Sequence, residues 1–419
     1  MSTGTLTMHV SQSCRHCGQP VNVVMADLGA TPVSNDYLRP EAVDGPEPYY
    51  PLRALVCESC KLVQLQDFFK EDDLFRSDYA YFSSFSTSWL KHCETYANAM
   101  IARFGLGADS QVVEIASNDG YLLQYFKQNG VKVLGVEPSL SVAQTAIDKH
   151  GIPTEVAFFG SATAQALVDR GVQADHMAAN NVLAHVPAIN DFLDGFRILL
   201  KPQGVITFEF PHLLRLMEQS QFDTIYHEHF SYISLLAAER MLDVAGLRVF
   251  DVEELPTHGG SLRLFVCHKD ADYAQEPRVA AARAAEDAAG LGDIDTYRKF
   301  SDAVRKVKRD LLKLLVELKE GGARIVGYGA AAKGNTLLNY CGVGADMIDY
   351  VVDMSPHKQG LYLPGTRLPI LSPDQIQKDR PDYVLILPWN IKDEVMSQLD
   401  GIRAWGGKFI VAIPSPRVL

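Results

Sequence analysis

Gln111-Val-Val-Glu114-Ile-Ala-Ser-Asn118-Asp119-Gly120-Tyr-Leu-Leu123 reads as an apolar strand ending in an acid, a turn of small residues, and the start of a helix from Tyr121 to Gln128. Val131-Lys-Val-Leu-Gly-Val-Glu137-Pro138 is a second strand, again ending in an acid. Strand, helix and strand at this spacing make a βαβ unit, and open α/β sheets bind ligands at the carboxyl ends of such strands. An acid at the end of the second strand, roughly 20 residues on, suits a ribose diol. The first turn lacks Gly-x-Gly-x-x-Gly, and with it the close backbone approach that a diphosphate needs. A cofactor with ribose and adenine but no phosphate fits better, and S-adenosylmethionine is such a cofactor.

The alternation continues along the chain. His176-Met-Ala-Ala-Asn180-Asn181-Val is a strand, Asn190 to Leu200 a helix, Lys201-Pro-Gln-Gly204 a turn and Val205 to Phe210 a strand. Ser234 to Ala245 gives a helix stopped at Gly246, and Leu247 to Glu253 and Gly260 to His268 read as closing antiparallel strands. This succession resembles that of class I methyltransferases, including the Lys-Pro-Gly-Gly-like turn before the fifth strand. An amphipathic helix from Trp89 to Phe104 precedes it.

Upstream lie Cys14-Arg-His-Cys17-Gly and Cys57-Glu-Ser-Cys60-Lys. Each pair offers two thiolates from one tight turn, and two turns close a tetrahedral zinc site with no open position, hence a structural one. The stretch between them exceeds the usual zinc-ribbon spacing of about 15–20 residues. A small inserted unit of turns and short strands is therefore expected, with a strand from Pro51 to Cys57. After Leu62-Val-Gln-Leu-Gln66 comes a stretch rich in aromatic and hydroxyl residues, from Phe75 to Ser86. It reads equally as a packed linker or as a flap laying Tyr79 or Tyr81 over a ligand.

Downstream, Ala274 to Lys319 has helical patterning and no strand signal. A second βαβ pattern follows: Ala323-Arg-Ile-Val-Gly327-Tyr328-Gly329-Ala-Ala-Ala332-Lys333-Gly-Asn335-Thr, then Met347 to Asp353. Tyr383 to Pro388 and Lys408 to Pro414 complete a small sheet. Gly327-x-Gly329-x-x-Ala332 with Asp353 is formally a dinucleotide fingerprint, weak when alone. It admits three readings: a grip on a substrate diphosphate through Lys333, Tyr328 and Asn335; a tight packing turn; or an NAD site.

The 419 residues suffice for two to four domains. A formal net charge of -12 argues against a general nucleic-acid binder. No apolar run is long enough to span a membrane at about 20 residues, and Met1 to Val10 lacks a signal-peptide core, so a cytoplasmic protein is expected. Seven cysteines, an odd count, speak against a disulfide framework, and Cys93, Cys267 and Cys341 are expected to be inert core thiols.

Tyr226-His227-Glu228-His229 gathers two imidazoles, a carboxylate and a phenol. Histidine titrates near neutral pH, glutamate can fix its tautomer, and tyrosine can hold an oxyanion. In an extended segment His227 and His229 share a face; on a turn they need not. A His-x-His metal site belongs in a β-barrel, which the surrounding α/β pattern disfavours.

Taken together, the chain resembles the sugar C-methyltransferases of deoxysugar biosynthesis, most closely those acting at C-3′ in the tetronitrose pathway. The shared features run along essentially its whole length: the four-cysteine zinc domain, the central domain carrying Tyr-His-Glu-His, and a C-terminal Gly-Tyr-Gly-Ala turn. The resemblance implies an α/β architecture of three domains: zinc-binding (1–75), class I Rossmann-like methyltransferase (76–270), and a helical connection with a Rossmann-like C-terminal domain (271–419). It implies a nucleotide-linked, usually dTDP, 4-keto-6-deoxysugar as substrate. By that resemblance His229 is the general base, Tyr226 and Glu228 are its partners, His185 is a further active-site histidine, and Tyr79 or Tyr81 is a catalytic tyrosine. Glu114, Asp119, Gly120 and Glu137 match cofactor contacts; Asn118, Asn180 and Asn181 are added to them as candidates.

The chemistry is coherent. Carbon becomes nucleophilic when a neighbouring ketone allows an enolate, and a base must remove the proton. His229 is the candidate base, His227 is scaffold, and Glu228, Tyr226 or His185 orient the base or bond the enolate oxygen. Methylation at C-5′, O- or N-methylation of a nucleotide sugar, and an NAD-dependent oxidoreductase are the alternatives. A monomer is expected.

Overall fold

The computed structural model describes residues 12–66, 84 and 87–419. The central sheet contains β6 (Gln111–Ile115), β7 (Lys132–Val136), β8 (Thr154–Glu155), β9 (Ala174–Asn180), β10 (Leu200–Pro211), β12 (Leu247–Leu255) and β13 (Ser261–His268). Their spatial order is β12-β13-β10-β9-β6-β7-β8, and β13 alone runs antiparallel to both its neighbours. Successive residues of a strand face opposite sides, so Val112 packs with α1 (Thr87–Phe104), α2 (Leu123–Gln128) and α3 (Leu140–His150). Val113 and Ile115 join the other face with α4 (Ser161–Asp169) and α5 (Ile189–Leu199). The strand order reverses between β6 and β9, which opens a crevice at their carboxyl ends.

Two boundaries differ from the expectation. Helix α2 begins at Leu123 because Gly120, at φ +80°, still belongs to the turn. The turn at Lys201–Gly204 is drawn into β10, where the pairing with β9 shifts register between Leu200 and Val205.

The N-terminal part starts with a hairpin, β1 (Gln12–Ser13) and β2 (Pro20–Val21). An antiparallel sheet follows from β3 (Val23–Thr31), β4 (Tyr50–Val56) and β5 (Val63–Leu65). Its fourth strand, β11 (Ser231–Tyr232), comes from the chain just beyond the histidine cluster. Helices α6 (Leu213–Glu218) and α7 (Leu235–Val244) flank that cluster in sequence.

Helix α8 (Pro277–Ala288) leads to α9 (Ile294–Glu320). Asp293 caps α9 through the Asp295 amide. Tyr297, Phe300, Val304, Val307, Leu311 and Leu315 form one buried stripe at three- and four-residue steps. That stripe packs with β3 and β4 residues such as Met25 and Leu52 and with the C-terminal sheet, in one continuous core. The C-terminal sheet comprises β14 (Ile325–Tyr328), β15 (Val351–Val352), β16 (Ile370–Leu371), β17 (Tyr383–Ile386), β18 (Lys408–Val411) and β19 (Arg417–Val418), in the order β16-β15-β14-β17-β18-β19. Only β19 is antiparallel to its neighbour, and helix α10 (Ala332–Cys341) follows β14. The expected strand from Met347 to Asp353 shrinks to β15. Among the described residues no helix is long and apolar enough to cross a membrane.

Candidate active site

The four cysteines converge. Their ligand atoms all lie within 4.8 Å of one another, with Cys14 Sγ and Cys60 Sγ, and Cys17 Sγ and Cys57 Sγ, each 3.5 Å apart. Zn–S bonds of about 2.3 Å in a tetrahedron put sulfurs about 3.8 Å apart, so the cluster fits zinc. Each turn closes alike: Gly18 N donates to Cys14 O and Lys61 N to Cys57 O, with Gly18 and Lys61 both in the left-handed region. Cys93, Cys267 and Cys341 are buried elsewhere.

At the carboxyl edge of the central sheet, Glu137 accepts the Asn118 amide at 3.1 Å and the Ser139 amide at 2.9 Å. Burial pushes its carboxyl up, with those amides pulling the other way. Glu114 is fully buried, and burial raises it well above the usual carboxylate range, with the Tyr121 hydroxyl opposing the rise. Gly120 lies against Ala146 and Ile152: a Cβ there would sit 3.1 Å from Ile152 Cγ1. Both carboxylate oxygens of Asp119 and both amide atoms of Asn180 are buried with no hydrogen-bond partner among the described residues. Buried polar atoms are rarely left so; beside a ribose-type acid they fit the polar groups of S-adenosylmethionine. Asn181, at φ +55°, turns its amide toward His258 Nε2 at 3.3 Å.

The cluster at 226–229 is a turn, closed by His229 N donating to Tyr226 O at 2.9 Å. The turn separates the two histidines. His227 is buried and directs Nε2 to Pro51 O at 3.2 Å, on the N-terminal sheet. His229 lies under the Tyr226 ring, centroids 4.0 Å apart, and edge-on to His185 at 4.7 Å. A carbonyl oxygen only accepts, so the 2.8 Å contact from His229 Nδ1 to Thr224 O puts the proton on Nδ1. Nε2 of the neutral ring then carries the lone pair. His185 is fixed the same way, Nδ1 on Glu228 O at 2.7 Å. Burial lowers His185 to about 4 and takes His229 well below its usual value, with His185 and Lys333 adding to the latter. Both rings are therefore neutral at physiological pH. Burial raises the Glu228 carboxyl, against hydrogen bonds from its own amide and from Asn35.

The C-terminal domain reaches the same place. Thr336, in the second turn of α10, donates to Ile225 O at 3.2 Å. Lys333 donates to Asn390 Oδ1 at 2.8 Å and lies over the Trp389 ring at 5.0 Å. Trp389 Nε1 donates to Asp223 Oδ2 at 2.6 Å, and burial pushes Asp223 up to about 6, opposed by the Lys333 charge. His185, Tyr226, His229, His258 and Lys333 all sit deep yet keep some surface, as the walls of a cleft do.

Two other residues expected at the substrate are committed elsewhere. Tyr328 donates to Gln398 Oε1 at 2.9 Å, within the core on the far face of the C-terminal sheet. Asn335 is buried and donates to Ser34 O at 2.6 Å. The Gly-rich turn is closed on itself. Asp353 accepts the Ala330 amide at 2.7 Å and the Ser355 amide at 2.8 Å, the same pair of bonds that Glu137 makes in the central sheet. A Cβ on Gly329 would lie 2.5 Å from Pro388 Cδ, so this glycine serves packing. Tyr79 and Tyr81 lie outside the described residues.

Several groups around the cleft had no local signature. His258, in the left-handed region at φ +56°, caps the β12–β13 hairpin and is tilted over Trp89 at 5.6 Å. A histidine before Gly259-Gly260 at a hairpin tip was the available hint. Glu209, at the end of β10, would be raised by burial, but His92 and Arg263 bring it down to about 2. Arg263 Nη2 donates to it at 2.6 Å.

Comparison with known proteins fits this geometry. A methyltransferase domain family matches residues 89–252, a C-methyltransferase C-terminal domain family residues 256–414, and a zinc binding domain family residues 14–75. The C-methyltransferase NovU of Streptomyces niveus is 37% identical over 406 residues, 97% of this chain and 96% of that protein. Solved structures align over part of the chain. Magnesium protoporphyrin IX methyltransferase (ChlM) of Synechocystis PCC 6803 with bound SAH is 14% identical over 43% of this chain and 83% of its own, TM-score 0.35. The 1,6-didemethyltoxoflavin-N1-methyltransferase of Burkholderia thailandensis is 15% identical over 50% and 95%, TM-score 0.36. Likenesses of that degree bear no weight here; the sequence relative and the family matches do. The chain belongs to the C-methyltransferase family: it is an S-adenosylmethionine-dependent C-methyltransferase with a zinc-binding N-terminal domain.

Proposed function

We propose that the accepting carbon is C-3′ of a nucleotide-linked 4-keto-deoxysugar, with dTDP as the nucleotide, and that His229 is the base that generates its enolate. The supporting observation is the fixed tautomer of His229: Nδ1 donates to Thr224 O, so Nε2 is the nitrogen that carries the lone pair. S-adenosylmethionine supplies an electrophilic sulfonium methyl at the carboxyl edge of the central sheet. Asp119, Asn180 and Glu137 are the residues suited to hold it.

A ketone at C4 acidifies the proton at C3, and His229 Nε2 accepts it. Burial keeps the ring in its neutral, proton-accepting form, and the negative charge growing on the enolate offsets the cost of protonating a buried imidazole. Tyr226 has a hydroxyl that can donate to the enolate oxygen. His185 cannot do this when neutral, because its one N–H is on Glu228 O. Lys333 is the cation the C-terminal domain brings to the cleft, and it suits the anionic nucleotide handle.

The test is exchange in deuterated water without S-adenosylmethionine, followed by NMR on a dTDP-4-keto-6-deoxysugar. Wild type exchanges the C3 proton, and His229→Asn slows exchange and methylation by about 10²–10⁴-fold. Equal rates reject His229 as the base; methylation at another atom without C3 exchange rejects the position.

A further inference from the structure

The loop after β3 reaches both other domains. Ser34 O accepts Asn335 Nδ2 at 2.6 Å, and Ser34 Oγ lies 3.3 Å from Thr336 Oγ1. Tyr37 donates its hydroxyl to Ala330 O at 2.5 Å. Between these anchors, Asn35 Nδ2 donates to Glu228 Oε1 at 2.9 Å. Glu228 is 4% exposed, and its second oxygen, Oε2, is buried with no partner among the described residues. The backbone amides of Glu228 and Asn35 also lie against this carboxyl, and Asn35 is its one side-chain donor among the described residues; the terminal torsion of a glutamate is otherwise broad. Asn35 holds that torsion, and the two flanking anchors hold Asn35.

We propose that Asn35 is a positioning residue: it clamps one oxygen of Glu228 so that the other is presented to the reacting sugar. The zinc-binding domain is thereby part of the catalytic apparatus and not only a fold support. The inference rests on reading Glu228 as an active-site group. Asn35 acts through Glu228, so its loss should lower turnover more than apparent substrate affinity, and should do nothing further once Glu228 is itself altered.

The experiment is a double-mutant cycle on the full-length, zinc-loaded chain, with S-adenosylmethionine and a dTDP-4-keto-6-deoxysugar. Asn35→Ala and the isosteric Asn35→Asp, which lacks the donor, are compared with Glu228→Gln and with Asn35→Ala/Glu228→Gln, zinc content and Tm being checked for each. The expected result is a kcat about 10–100-fold lower for both Asn35 variants, the scale of a misplaced catalytic group, with KM within about threefold. The double variant should match Glu228→Gln. Asn35 variants at wild-type kcat beside a slow Glu228→Gln overturn this proposal alone. Single effects that multiply in the double variant also overturn it, because Asn35 then acts independently. Glu228→Gln at wild-type kcat overturns it together with the reading of the site.

Discussion

The central and C-terminal sheets share one architecture and use it in opposite ways. Each is mainly parallel, reverses its strand order in the middle, and has a glycine-bearing turn after its first strand. In the central sheet that turn leaves Asp119 buried and without a hydrogen-bond partner among the described residues, and Asn180, at the end of β9, is left likewise. The acids that end the second strands are satisfied alike, Asp353 by the Ala330 and Ser355 amides and Glu137 by those of Asn118 and Ser139; the C-terminal first turn has no acid where Asp119 stands, and its Gly329 lies against Pro388. The first turn of one sheet holds buried polar atoms suited to a ligand, whereas that of the other is packed against Pro388 and is followed by Lys333, which reaches toward His229. Similar folds thus diverge through what their first turns carry, a buried acid in one and small residues ahead of a lysine in the other.

The largest effect that tests this contrast is on cofactor affinity. Asp119→Ala should weaken S-adenosylmethionine binding about 10–100-fold by calorimetric titration, the loss of a charged hydrogen bond. Asp353→Ala should leave that affinity within about twofold and instead lower Tm. If the two variants behave alike, the contrast between the sheets fails.

A smaller effect concerns Lys333. Beside the Tyr226 and Tyr232 rings, the basic groups around His229 are His185, Lys333 and His258, and each adds to burial in depressing its pKa. Lys333→Met removes one of these influences, so the His229 pKa rises. The base works unprotonated, so the acidic limb of the kcat/KM profile should move to higher pH. A limb that stays in place, or moves to lower pH, shows that the C-terminal cation does not reach the catalytic imidazole.

The smallest is steric. Gly329→Ala places a Cβ against Pro388 at φ +90°, a strain of about 1–3 kcal/mol read as a lowered Tm. Gly120→Ala carries the same backbone strain at φ +80° but looser contacts, 3.1 Å from Ile152 Cγ1 and 3.3 Å from Ala146 Cβ, so its loss of Tm should be smaller. Its effect should include weaker cofactor binding, which Gly329→Ala should not show.

Much of this was legible in the sequence, for physical reasons that also mark the limits. β6, β7, β9 and the β12–β13 pair are apolar runs with clear punctuation, and α9 has a plain helical period. The zinc cluster announces itself by spacing alone. Strand β11 does not: two residues after the histidine cluster join a sheet whose other strands end before Gln66, and nothing local to Ser231-Tyr232 signals that partner. The separation of His227 from His229 depended on a turn that the alternating pattern left open. Asn35 and His258 meet Glu228 and Asn181 through tertiary contacts with residues far along the chain, a property no local window contains. The Gly327-x-Gly329-x-x-Ala332 turn shows the converse, a motif matched in letters whose Gly329 is taken up by packing against Pro388.

The borrowed strand has a practical corollary for anyone recombining relatives of this enzyme. Leu65 N donates to Phe230 O at 3.0 Å, Arg15 Nη1 donates to the same carbonyl, and Ser231 and Tyr232 pair with Gln64 and Val63. The cluster's placement is therefore gauged from the N-terminal sheet. A chimera that takes residues 12–66 from one parent and 226–233 from another would inherit both halves of a ruler cut to different lengths. Crossovers that keep those two segments from the same parent should give active hybrids more often than cuts made at the visible domain borders.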